Sequence, residues 1–202
     1  VYAFTMPLVT DSHGNKFGKS EGNALWLDKN KTSPYQLYQF LINSEDSQVI
    51  TYLKRLTFLT PEQIMEIEAE HTAHPEQRLA QQALAREIIT DLHGAEEFEK
   101  AVDISRKLFA GDFKSLSLAD VKAGMSNVPH VKLTPGALVD VLVSSKVCAS
   151  KREAREFIGN GAISLNGEVV KDPAFEVTAQ QAIGGEVLVI RRGKKKFYLG
   201  EF

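Results

Sequence analysis

Lys16-Phe17-Gly18-Lys19-Ser20 places two lysines three residues apart around a glycine, with a hydroxyl next to the second. Between the apolar runs Phe4–Val9 and Ala24–Leu27, this stretch reads as an exposed loop. Its composition suits a polyphosphate. Lysine supplies compact positive charge, and glycine lets backbone N–H groups approach an anion closely. Gly18-Lys19-Ser20 matches the end of a P-loop, G-x-x-x-x-G-K-S/T. The first glycine of that motif would have to stand at position 13, which is His13, so the P-loop reading fails on spacing. The plain alternative is a solvated basic loop.

Two further cationic groups lie near the C-terminus. Ser150-Lys151-Arg152-Glu153-Ala154-Arg155 opens as a capping box, putting Lys151, Arg152 and Arg155 on the exposed face of a helix start. Five of the six residues from Arg191 to Lys196 are cationic: Arg191, Arg192, Lys194, Lys195 and Lys196. A helix start with its free N–H groups and a basic hairpin both suit phosphate. The plain reading is a charged hairpin that protects a sheet edge. No aromatic row of the RRM type is visible. The pattern therefore favours the backbone and shape of a folded RNA over stacking on single-stranded bases.

The elements that must position these residues change grammar along the chain. Phe4–Val9 reads as a strand or its exit, and Ala24–Leu27 as a short buried run with Trp26 in a core. From Thr32 the period is helical. Helices are expected at Tyr35–Asn43 behind a Thr32-Ser33-Pro34 cap, at Glu45–Thr57 capped by Ser44, and from the Thr60-Pro61-Glu62-Gln63 capping box onward. Another is expected from Pro75 to His93-Gly94, with Leu79, Ala83, Leu84, Ile88 and Leu92 as its stripe. Phe98 to Phe109, ended by Gly111, and Ser117–Gly124 complete the set. Val128–Leu133 reads as a linker. Beyond it lie helices at Thr134–Ser144 and from Ser150, then short strands. Asn166-Gly167 is a hairpin signal between Ala162–Leu165 and Glu168–Val170, and the strands Glu186–Ile190 and Lys195–Leu199 flank a turn at Arg192-Gly193.

Composition narrows the classes. The 202 residues are 43% hydrophobic and 25% charged, ordinary for a folded protein of one or two domains. Residues 60–125 carry 7 basic and 13 acidic residues, whereas 126–202 carry 11 and 8, so the last third is the part suited to a polyanion. The single Cys148 excludes an internal disulfide and a thiolate zinc cluster, and fits a reducing compartment. His71, His74 and His93 lack a metal-ligand spacing and read as surface or cap residues, so no metal site is expected. No run nears the ~18 apolar residues of a membrane span, and no signal peptide is visible. Because the chain opens on Val1-Tyr2-Ala3-Phe4 without Met, it is expected to be a piece of something longer.

Lys16–Ser20 resembles the KMSKS signature of class I aminoacyl-tRNA synthetases, in the form met in bacterial tyrosyl-tRNA synthetases. Leu25-Trp26-Leu27-Asp28, then Thr32-Ser33-Pro34-Tyr35 with Tyr38-Gln39-Phe40, resembles the same family's entry into its helical anticodon-binding domain. Ser150–Arg155 with Gly161–Gly167 resembles the RNA-binding module shared with a small-subunit ribosomal protein, the S-four module, and Arg191–Lys196 resembles its C-terminal hairpin. The tryptophanyl relatives would not be expected to carry that third domain.

The resemblance implies a short remnant of a catalytic domain at 1–31, a mainly α helical anticodon-binding domain at 32–127, and a small α+β, S-four-like RNA-binding domain at 128–202. It also implies an enzyme that activates tyrosine with ATP and Mg²⁺ and transfers it to the 3′ end of tRNA(Tyr). In that enzyme Lys16, Lys19 and Ser20 would be catalytic, with Lys16, Gly18 and Lys19 meeting ATP. Each such interaction would be worth about 2–4 kcal/mol in the transition state, and the loop would be mobile without ATP. Ser150, Lys151, Arg152, Arg155, Asn166, Arg191, Arg192, Lys194, Lys195 and Lys196 would face RNA. The HIGH-type signature, the tyrosine pocket and the dimer interface belong to a preceding half. The fragment is thus expected to be monomeric, inactive alone, without bound cofactor, cytoplasmic and away from membranes. The alternative is a free-standing RNA-binding protein with an incidental basic loop.

Overall fold

The computed structural model describes residues 2–5, 8–20 and 23–202, without the side chains of Lys19, Ser20 and Asn23. The chain forms two compact units, Val1–Val102 and Asp103–Phe202. The expected strand at Phe4–Val9 includes Met6 and Pro7, which lie outside the described residues, and no strand is assigned to its described part.

In the first unit a small antiparallel pair, β1 (Lys19–Ser20) with β2 (Asn23–Ala24), precedes helices α1 (Pro34–Ile42), α2 (Asp46–Leu56), α3 (Pro61–Ala73) and α4 (Leu79–His93). The starts of α1 and α3 follow their sequence. Ser33 and Thr60 each accept a hydrogen bond from the third helical N–H, and Gln36 and Gln63 reach back to the cap backbone, with Pro at the first turn. Two other starts differ from expectation. Glu45, not Ser44, is the N-cap of α2. The carbonyl of Ser44 instead accepts from Arg78 Nη2 at 3.0 Å and Gln81 Nε2 at 3.2 Å. Pro75 opens only a 3₁₀ turn, Pro75–Gln77, and Arg78 in the left-handed conformation (φ 53°) resets the chain before α4.

Helix α4 packs against α1, α2 and α3. Its fully covered face is Ala80, Gln81, Leu84, Ala85 and Ile89, rotated from the expected stripe; Leu79, Ala83 and Ile88 flank it and Leu92 is exposed. Alanines allow close approach of three neighbours. Gln81 is buried because its amide also reaches Asp46 Oδ1 at 2.6 Å, a demand that hydropathy does not report. His71, expected at the surface, is buried beside the same carboxylate, Nε2 3.3 Å from Asp46 Oδ1. The expected buried run Ala24–Leu27 is also overturned. Trp26 is 50% and Leu27 65% exposed, with Lys31 Nζ 4.1 Å from the centre of the indole ring.

Helix α5 (Ala95–Ala110) carries the division between the units; Gly111 (φ 77°) ends it and α6 (Leu118–Gly124) follows behind a Ser117 cap. The second unit is built on a five-stranded mixed sheet, ordered β3 (His130–Lys132), β9 (Lys196–Glu201), β8 (Val187–Arg192), β5 (Ile163–Leu165), β6 (Glu168–Val169). A separate pair joins β4 (Gly136–Ala137) to β7 (Glu176–Val177). Helices α7 (Leu138–Ser144) and α8 (Lys151–Gly159) pack with the sheet around Leu138, Val141, Leu142, Val147, Ala154, Ile158, Ile163, Leu188 and Ile190. Burial of these side chains is the main stabilising contribution.

Three expectations need correction here. The Val128–Leu133 linker contains β3, which pairs parallel with β9, His130 opposite Leu199. Thr134 does not cap a helix; Gly136–Ala137 first pairs with β7, and α7 starts at Leu138 without a side-chain cap. Arg192 ends β8, leaving Gly193–Lys195 as the turn.

Residues 111–125 pack on the second unit's sheet. Lys114 pairs with Glu168 at 2.5 Å and Lys122 with Glu186 at 2.6 Å. Gly167 (φ 89°), in the Asn166-Gly167 turn, lies so close to the Gly111 carbonyl that any Cβ would overlap it. Gly167→Ala is therefore expected to lose roughly 3 kcal/mol of unfolding free energy. Gly159→Ala, in α8 with open space around its Cα, is expected to be neutral or stabilising by about 0.5–1 kcal/mol. Urea unfolding of the two variants checks both.

Candidate nucleic-acid interface and signature loop

The lysine loop grows out of a tight turn. Asp11 accepts hydrogen bonds at Oδ1 from the backbone N–H groups of His13 (2.9 Å) and Asn15 (2.8 Å), and at Oδ2 from Asn15 Nδ2 (3.0 Å). The Asn15 side chain, with these backbone donors, holds the Asp11 carboxyl below its ordinary range. The turn closes a bridge between Thr10 and Lys16, and the Phe17 N–H donates to the Val9 carbonyl at 2.9 Å. Phe17 then packs its ring against Tyr52, centroids 4.7 Å apart, and Phe40, 5.2 Å apart. The Tyr52 hydroxyl donates to the Thr10 carbonyl at 3.0 Å, and burial raises its pKa. The aromatic residue between the lysines is thus the loop's anchor on α1 and α2. Lys16 stays exposed, and Gly18 takes the left-handed conformation (φ 73°) that lets the chain turn into β1. The side chains of Lys19 and Ser20, expected to act with Lys16, lie outside the described part of the structure.

In the second unit Arg192 ties the basic helix to the basic hairpin. From the end of β8 its Nη1 donates to the Val147 carbonyl at 2.6 Å and lies 3.4 Å from Glu153 Oε1. Its guanidinium sits 5.3 Å from the centre of the Phe157 ring. Glu153 in turn accepts from the Ala149 N–H at 2.6 Å, while Ser150 Oγ accepts from the Glu153 N–H at 3.2 Å. The expected capping box is therefore present with its return arm moved back one residue. Burial raises the pKa of Cys148, beside Arg192, which makes it an unreactive core thiol.

The predicted RNA-facing residues separate under this geometry. The side chains of Arg152, Arg155, Lys194, Lys195 and Lys196 are exposed and make no ion pair or hydrogen bond among the described residues. Lys151 is exposed and pairs with Asp140 at 2.6 Å, a surface interaction of about 0–1 kcal/mol that yields readily to a phosphate. Ser150 is occupied as the helix cap. Arg192 is occupied by Val147, Glu153 and Phe157. Arg191 is half-buried, with its Nε covered and unpartnered. Asn166 is turned inward: it is 5% exposed, Nδ2 donates to the Gln181 carbonyl at 2.7 Å, and Oδ1 accepts from the Val189 N–H at 2.9 Å. Its side chain holds the sheet, because an inward carboxamide joins the buried Val189 N–H to the Gln181 carbonyl.

Sequence reading passed over Lys146, an exposed cation on the α7–α8 connection next to Val147, because a lone lysine there carries no pattern. A left-handed backbone (φ 61°) at a residue other than glycine is its only unusual mark, and only the structure shows it. Among the described residues no cluster of His, Cys, Asp or Glu could hold a metal ion, and no helix is long and apolar enough to cross a membrane.

Comparison with known proteins gives this arrangement a family. A model described as tRNA synthetases class I (W and Y) matches residues 1–110, taking in the lysine loop and the helices, and one described as tyrosine–tRNA ligase SYY-like C-terminal domain matches residues 120–200. Among curated proteins, tyrosine–tRNA ligase 2 of Enterococcus faecalis is 51% identical over 201 residues, 98% of this chain and 48% of that protein. The tyrosine–tRNA ligase of Streptococcus uberis is 50% identical over 199 residues (97% and 48%), and that of Bacillus pumilus 50% over 201 (98% and 48%). The chain thus spans about half the length of these relatives. With the loop, the helices and the α+β unit matched in order, and one family model covering more than half of the residues, the chain belongs to the tryptophan and tyrosine group of class I tRNA synthetases.

Proposed function

We propose that this chain is the tRNA-binding part of a tyrosine–tRNA ligase, and that the parent enzyme joins tyrosine to tRNA(Tyr) at the expense of ATP. The observation that carries the reading is the set of exposed cations Arg152, Arg155 and Lys194–Lys196, with side chains unpaired among the described residues, on two elements tied together by Arg192. Such charges are available to neutralise phosphates and release counterions. Lys151 joins them by exchanging its exposed carboxylate partner for phosphate. The division of labour in this reading is a helical anticodon-binding domain over 32–127 and an S-four-like module over 128–202, the latter facing the tRNA body.

Lys16, Lys19 and Ser20 act on the other substrate. A fixed turn behind Lys16 and a ring anchor at Phe17 leave the Lys16 ammonium group exposed on the loop. That chemistry suits the phosphates of ATP with Mg²⁺. Lysine charge placed where the pyrophosphate departs stabilises the transition state more than the ground state. Gly18 and the loop backbone contribute N–H groups to the same anion. Dimerisation and the amino-acid pocket are assigned to the half of the relatives' length that this chain does not span.

Three outcomes follow. In fluorescence-anisotropy titrations with a transcript of a bacterial tyrosine tRNA, replacing Lys194, Lys195 and Lys196 together by Ala is expected to weaken binding roughly tenfold or more. The plot of log Kd against log salt should flatten by about 0.7–0.9 for each phosphate that is no longer neutralised; an unchanged slope would take the interface away from the hairpin. The Lys16→Ala and Lys19→Ala chains should bind the same transcript within about twofold of the parent chain, since their partner is ATP. A weakening comparable to that of the hairpin variant would assign the loop to RNA instead. The 202-residue chain alone should show no tyrosine-dependent ATP–pyrophosphate exchange, and measurable exchange would overturn the assignment of the pocket to the unspanned half.

A further inference from the structure

Among the described residues, three that are not glycine adopt the left-handed conformation: Arg78 (φ 53°), Lys146 (φ 61°) and Asn166 (φ 48°). L-residues adopt it at a cost, and it persists where surrounding structure demands it. For two of the three the side chain supplies the reason. Arg78 donates from Nε to the Ile42 carbonyl and from Nη2 to the Ser44 carbonyl, both at 3.0 Å, joining the end of α1 to the entry of α2. Asn166 binds Val189 and Gln181, and asparagine tolerates this region in a hairpin turn. Lys146 has no such reason: its side chain is exposed and makes no hydrogen bond or ion pair among the described residues.

The backbone around Lys146 cannot relax the strain. Before it, Ser145 Oγ donates to the Val141 carbonyl at 2.7 Å; after it, the Cys148 N–H donates to the Leu142 carbonyl at 2.9 Å, and the Val147 carbonyl accepts from Arg192. Ala149 is held by Glu153. The connection is thus pinned on both sides of one exposed ammonium group. The same guanidinium that places the basic hairpin, Arg192, pins the residue next to it. Glycine suits this position after a helix best on conformational grounds, so a lysine there calls for a function of its side chain.

We infer that Lys146 is a further phosphate-binding residue of the RNA interface, held out from the α7–α8 connection so that the cationic surface runs from this connection through the start of α8 to the Lys194–Lys196 turn. The inference rests on the reading of this unit as RNA-binding and adds a residue that no sequence motif marks. A cation after α7 also meets the negative end of the helix dipole, but α7 has seven residues, and that role does not enter the salt dependence of RNA binding.

The Lys146→Gly variant separates the roles, because glycine removes the charge and the strain together. Its affinity for a tyrosine tRNA transcript is expected to fall roughly three- to tenfold at moderate salt, with the slope of log Kd against log salt flatter by about 0.7–0.9, while its melting temperature holds or rises. Lys146→Arg should retain both the affinity and the slope. Binding by Lys146→Gly within twofold of the parent chain at an unchanged slope would overturn the inference, as would a lowered melting temperature, which would make the side chain structural. The Lys194/Lys195/Lys196 alanine chain, titrated alongside, distinguishes the two levels. If it binds weakly and Lys146→Gly does not, only the inference fails; if both bind as the parent chain does, the RNA-binding reading fails with it.

Discussion

Much of the second unit depends on where one guanidinium sits. Arg192 lies at the last residue of β8, and its interactions reach backward in the chain to the α7–α8 connection and into α8. A charged group can be half-buried there only because it is paired on all sides: a carbonyl oxygen, a carboxylate and an aromatic face share its donors and its charge. The effect is to register the sheet against α8. The start of α8 and the basic turn after Arg192 then cannot move independently. The cations near them, whose side chains are unpaired among the described residues, are thus presented by a rigid support.

The loop in the first unit follows the same economy with different chemistry. Asp11 closes a turn with three hydrogen bonds, and Phe17 plugs its ring between Tyr52 and Phe40. Lys16 helps close the turn through its backbone, while its exposed side chain makes no hydrogen bond or ion pair among the described residues. The middle aromatic, which looks like part of a signature, acts as a peg.

Residues 111–125 show how a connecting stretch becomes part of a domain. Sequence alone marks Val128–Leu133 as a linker. Yet Lys114 and Lys122 pair with carboxylates of the sheet strands or their edges, and Gly167 makes room for the Gly111 carbonyl. The ion pairs are exposed and individually weak. The steric fit is the stronger constraint, since a backbone carbonyl cannot move aside as a side chain does.

Local chemistry was legible from the sequence alone. The cap before Pro34, the capping box at Thr60, the Ser150 cap, the Asn166-Gly167 hairpin and the stops at Gly94 and Gly111 depend on residues within four positions of one another, and each stands in the structure. The order of helical and α+β parts, and the family, follow from the same local signals taken in series. Tertiary structure decided whatever needs a distant partner. β3 exists only because His130–Lys132 meets β9 some seventy residues later. Gln81 is buried because its amide reaches Asp46, and His71 lies buried beside the same carboxylate, whereas Trp26 stays half exposed under the Lys31 ammonium group. Within one run of basic residues, sequence treats Arg192 and Lys194 alike. The fold makes the first a brace and leaves the second free, because only one of them lies opposite a carbonyl, a carboxylate and a ring.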